Sequence, residues 1–215
     1  MRFKNICYIY KQLKQQIMKT TLILLFLALA SCSKNSDAVR QNPVFSLPPE
    51  TQTGANTFGV TINGKVYIPR DPTGVNVGVS GHGVSFWGTL DNSWNELEVV
   101  DGASSVGFQM IIHIQNLNAI GVAQYPLHQS NFHNQIDSTP FTHIYFKIWD
   151  SAISNYAYYG SIENQGELNI TRNSNDIVSG NFKGKFVRYD NPNEFIQITD
   201  GRFDIGPGIN SKIFP

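Results

Sequence analysis

The chain has 215 residues, 41% of them hydrophobic and 12% aromatic, which is enough apolar side chain for one packed core, and only 15% are charged. Its basic and acidic residues cancel, yet Arg2, Lys4, Lys11, Lys14 and Lys19 precede residue 33 with no acid among them, leaving residues 33–215 at about −5. A mildly acidic domain with scattered cations lacks the stripe of Lys and Arg that neutralises phosphates, which argues against nucleic acid as a partner.

The N-terminal segment reads as an export signal. Lys19 is its positive flank, and residues 20–30 form an apolar run too short for a bilayer, where a helix needs about 20 residues. Leu29-Ala30-Ser31-Cys32 resembles the lipobox of bacterial lipoproteins. That resemblance implies cleavage between Ser31 and Cys32 and acylation of Cys32; residues 1–31 then read as the signal peptide, with Met18 as the expected true start because the first 17 residues sit awkwardly ahead of the signal. Lipid chains contribute about 0.8 kcal/mol per buried CH₂, so membrane attachment through Cys32, in the outer membrane of the cell envelope, is the expectation.

Residues 32–56 are polar and proline-bearing and read as a flexible tether. One all-β domain over residues 57–215 should follow. Asn63-Gly64 separates two β-rich runs, residues 57–62 and 65–68, and suits a type I′ hairpin. Further strands are expected at 84–90, 96–100, 106–115, 141–149, 156–161, 167–171, 177–187, 194–199 and 202–205. In residues 106–115, Val106, Phe108, Met110, Ile112 and Ile114 share one face, opposite Gln109, His113 and Gln115. No window of 12 or more residues after Cys32 keeps a helical period. Short strands and frequent turns predict an antiparallel β-sandwich, with a partly open barrel as the alternative that periodicity leaves standing.

Three segments carry a family resemblance. Leu47-Pro-Pro-Glu-Thr-Gln-Thr-Gly-Ala-Asn-Thr-Phe-Gly59 with the Asn-Gly-Lys hairpin, Gly166-Glu-Leu-Asn-Ile-Thr171 with Ser179-Gly-Asn-Phe182, and Thr199-Asp-Gly-Arg-Phe-Asp204 resemble lipoproteins of Bacteroidota that have no assigned reaction. The resemblance implies anchoring and β composition and transfers no catalytic residue.

Chemistry-bearing residues are sparse. Gly78-Val79-Ser80-Gly81-His82-Gly83 departs from a nucleophile elbow, because His82 stands where glycine is required. His128 and His133 lack metal-ligand spacing, while His113 and His143 would be cross-strand neighbours if their strands pair. Asp190-Asn191-Pro192-Asn193-Glu194 gathers oxygens as a calcium loop does, but with turn-forming residues and without calcium-loop spacing. Glu96, Glu98 and Asp101 lie close in sequence with no sign of convergence. Aromatics are the main pointer to binding: Trp87, Trp94, Tyr156 and Tyr158 are the candidate ligand-contacting residues, for a glycan or a partner protein. The expectation is a non-catalytic binding or structural lipoprotein, with no catalytic residue, metal or cofactor assigned. A hydrolase with a site assembled from distant residues and a small-molecule carrier are the alternatives.

Overall fold

A computed structural model describes residues 45–72, 81–88, 93–104, 106–133 and 141–215. The signal segment, Ser31 and Cys32 lie outside the described residues, as do residues 78–80. Among the described residues no helix is long and apolar enough to cross a membrane.

The described residues form ten antiparallel strands: β1 (Thr57–Ile62), β2 (Lys65–Tyr67), β3 (Val84–Gly88), β4 (Trp94–Val100), β5 (Gln109–Gln115), β6 (Gln124–Pro126), β7 (His143–Asp150), β8 (Asn155–Ser174), β9 (Ile177–Arg188) and β10 (Phe195–Ile205). One turn of helix, α1 (Leu117–Ile120), and a short 3-10 turn, Ile209–Ser211, are the described helical elements. The strands form a single sheet in the order β2-β1-β10-β9-β8-β7-β5-β4-β3, with β6 also paired to β8. It curls into a half-barrel. The all-β antiparallel class therefore holds, in its partly open barrel form.

Alternation decides the two faces. Phe58, Leu97, Ile112, Phe146, Phe186 and Phe203 point inward into one contiguous apolar core. The inward set foreseen for β5 is buried from Phe108 through Ile114, although pairing starts only at Gln109. Two pairs of predicted strands prove continuous. Residues 156–161 and 167–171 both belong to β8, and 194–199 and 202–205 both belong to β10. The presumed breaks are bulges, between Ser161 and Gly166 and between Ile198 and Gly201, which bend a long strand without ending it. The Asn63-Gly64 hairpin forms as expected, with φ of 46° and 79°.

Side chains close the open ends. Arg70 beside β4 pairs bidentately with Asp101 at 2.7 and 2.8 Å. Asn210 on the 3-10 turn accepts from the Phe86 N–H at 2.8 Å and donates to the Phe86 carbonyl at 3.0 Å, satisfying part of the edge of β3. Residues 45–56, expected as part of the tether, are fastened to the sheet. Asn181 donates to Glu50, Arg202 to the Pro48 carbonyl, and the 51–55 backbone wraps the buried Asp204 carboxylate. Residues 45–56 are thus part of the folded domain.

Candidate functional site

The outer face of β4, β5, β7 and β8 carries the polar residues that alternation excludes from the core. His113 on β5 and His143 on β7 are direct cross-strand partners, as their strand faces suggested. Glu96 on β4 is the partner of His113 on the other side. A strap, residues 127–133, crosses this face and is pinned by backbone hydrogen bonds from His128 N–H to the Thr142 carbonyl and from Ser130 N–H to the Ser161 carbonyl, both 2.9 Å. Covered by the strap, the polar row becomes buried.

A linear chain of contacts results. Ser130 Oγ lies 3.1 Å from His143 Nδ1, and His143 Nε2 lies 3.0 Å from His113 Nδ1. His113 Nε2 faces Glu96 Oε2 at 2.8 Å, at ion-pair distance but without the alignment of a hydrogen bond. All four residues are buried, Glu96 at 1% and His143 at 2% exposure. Burial pushes the Glu96 carboxyl above its ordinary value, and the neighbouring His113 offsets this only in part. Each imidazole uses its two nitrogens toward opposite neighbours. The groups therefore form a relay and do not converge on a point, in keeping with the lack of a metal-holding cluster of His, Cys, Asp or Glu among the described residues.

Below this row the same face opens into a shallow cleft of about 280 Å³, lined among others by His82, Glu98, Gln109, Lys147 and Tyr156. Gln109 donates to Glu98 at 2.7 Å, and the Lys147 ammonium sits 5.1 Å from the centre of the Tyr156 ring. Beyond the cleft lies a band of exposed aromatics. Trp149 packs edge-on against Tyr156, Tyr158 stands opposite Lys147, and Tyr189 follows Tyr158 across the sheet, its N–H donating to the Tyr158 carbonyl. Phe132 of the strap leans on Tyr189 at 4.9 Å between ring centres. Tyr158 and Tyr189 are 44% and 68% exposed.

Of the four aromatics singled out from sequence, Tyr156 and Tyr158 belong to this band. Trp87 is exposed at the other end of the sheet, where it meets Trp94 edge-on at 5.1 Å. Trp94 is a correction: at 4% exposure it is buried, its ring tilted against that of His113 at 4.9 Å between centres. The Asp190 turn holds no calcium-like ring of free oxygens, because Arg188 takes Asp190 and Glu194, together with Asp150. Hydrogen bonding from Tyr159 and Arg188 keeps the Glu194 carboxyl below its ordinary value. Glu96 and Glu98 share the outer face of β4, whereas Asp101 is taken by Arg70. Ser130 escaped sequence reasoning altogether, since nothing in Leu127-His-Gln-Ser130 marks it until the strap folds over His143.

Comparison with family models, curated proteins and solved structures gives no match.

Proposed function

We propose that this chain is a lipid-anchored binding protein of the cell envelope, held in the outer membrane through Cys32, facing the periplasm or the exterior, and that it takes a glycan on its aromatic band. The observation that carries the binding half is the contiguous exposure of Trp149, Tyr158 and Tyr189 on one sheet face beside the polar cleft. Flat rings of this kind stack on the apolar faces of sugars, while Glu98, Gln109 and Lys147 supply hydrogen-bonding groups for hydroxyls. The ligand belongs outside, because Phe58, Phe108, Phe146, Phe182 and Phe186 fill the interior. The lipobox at Leu29–Cys32 supports the anchoring half.

Isothermal titration against a panel of neutral oligosaccharides tests the reading. A sugar that binds the wild type should bind Tyr158→Ala and Tyr189→Ala about 3- to 10-fold more weakly each, as expected for losing one ring contact. Equal affinity in both variants, or heat with none of the sugars, would remove the glycan from the proposal.

A further inference from the structure

The buried relay has a direction. With Glu96 ionised and both histidines neutral, one arrangement gives every link a donor and an acceptor. Ser130 Oγ–H then donates to His143 Nδ1, His143 Nε2–H to His113 Nδ1, and His113 Nε2–H points to Glu96. This is the polarity needed to remove a proton from Ser130. Nucleophile, base and orienting groups are recognised by such roles and distances and not by chain order.

A second, independent observation marks the same spot. Phe132, two residues on, sits at φ 63°, in the left-handed region that bulky L residues rarely adopt. That turn brings the Phe132 N–H to 3.1 Å from Ser130 Oγ, placing a donor at the reacting oxygen. It also lays the Phe132 ring over Gly160, where a Cβ would come within 2.6 Å of Phe132 Cζ and 2.8 Å of Ser130 Cβ. Only glycine leaves room for the strap to seat Ser130 against His143.

We propose that Ser130 is the nucleophile of an esterase-type site, activated through His143, His113 and Glu96, and that it acts on small O-acyl groups such as those carried by sugar hydroxyls. Ser130 Oγ bonds to the acyl carbon as its proton passes to His143 Nδ1. Collapse of the tetrahedral adduct breaks the acyl C–O bond, and His143 returns that proton to the departing sugar oxygen. A water molecule then attacks the acyl-serine, giving its proton to His143, which restores Ser130 as the carboxylic acid leaves. His113 and Glu96 are positioning residues that hold His143 in the required tautomer. A small rotation of the His113 ring aligns its Nε2–H with the carboxylate, as catalytic hydrogen bonds commonly tighten only with substrate bound. The acyl group is small because Ser130 is 4% exposed, with the Phe132 N–H already 3.1 Å from its Oγ. The sugar half of the substrate rests on the carbohydrate reading of the aromatic band, and the nucleophile does not.

The test is labelling of the full chain with diisopropyl fluorophosphate, read by peptide mass spectrometry. The expected result is a single adduct on Ser130, absent in Ser130→Ala, formed faster in Phe132→Ala, and formed about 100-fold more slowly in His143→Gln. Glu96→Gln, which keeps shape and removes charge, should slow labelling without abolishing it, and its thermal melt shows whether the fold survives. No adduct on Ser130 in either wild type or Phe132→Ala, with both folded by circular dichroism, would overturn the proposal. So would equal labelling rates in wild type and a folded His143→Gln. Neither readout uses a glycan, so failure here is separable from failure of Tyr158→Ala and Tyr189→Ala to weaken sugar binding.

Discussion

Asp204 shows how much one residue can organise. Its carboxylate is 1% exposed and accepts from Thr51 Oγ1 at 2.6 Å, Ser179 Oγ at 2.7 Å, and the N–H groups of Thr53, Gly54 and Ala55 at 2.9 to 3.1 Å. Burial alone would raise this acid; the bonds from Thr51, Ala55, Ser179 and Gly54 outweigh it and hold the carboxyl well below the usual carboxylate range. Removing the acceptor strands several buried donors, each costing about 1–3 kcal/mol, so Asp204→Ala should lower unfolding free energy by roughly 3–5 kcal/mol in urea titrations. A depressed folded pKa contributes stability above the unfolded value of about 3.9 and loses it as pH falls below that. Wild type should therefore lose its advantage over Asp204→Asn progressively below about pH 4, measured as the difference in urea midpoint. The same residue explains why Thr51-Gln-Thr-Gly-Ala55 reads as tether in sequence yet is ordered. Its polar composition buries little apolar surface, but its N–H groups have a partner about 150 residues away.

At the scale of elements, β9 and β10 illustrate pairing by exchange of rings and glycines. Gly201 is the cross-strand partner of Phe182, and Phe203 that of Gly180. The Phe182 ring lies against Gly201, and a Cβ on Gly180 would stand 2.8 Å from Phe203 Cζ. Each aromatic covers the glycine opposite before entering the core, which is how two glycines are tolerated inside long strands. Gly201→Ala would drive a methyl into the Phe182 ring and should cost about 1–3 kcal/mol by the same titration, with the fold retained in circular dichroism. Both glycine–aromatic pairs were visible in sequence, within Ser179-Gly-Asn-Phe182 and Thr199-Asp-Gly-Arg-Phe-Asp204. Their reciprocity was not, because it depends on the register between strands. Similarly, β6 pairs only Gln124, Tyr125 and Pro126 and is too short for its alternation to stand out in the sequence.

At the largest scale, the half-barrel puts an apolar filling inside and leaves the polar row, the shallow cleft and the aromatic band on the outer face. If Cys32 is acylated, palmitate fed to expressing cells should label the protein, and Cys32→Ser should abolish labelling and shift the chain from the membrane to the soluble fraction. Unchanged partitioning of that variant would refute the anchor. The sequence by itself determined the all-β class, the Asn63-Gly64 hairpin and the inward residues of β5 from Phe108 to Ile114, because these follow from the period-2 pleat and local turn chemistry; it put His113 and His143 on the polar faces of their strands and left their meeting to the pairing of β5 with β7. Only the tertiary structure decided that β8 and β10 run through their glycines, that Trp94 is buried, and that Ser130 reaches His143. Each of these depends on sheet curl and on a strap crossing between strands, long-range placements for which local side-chain pattern carries no signal.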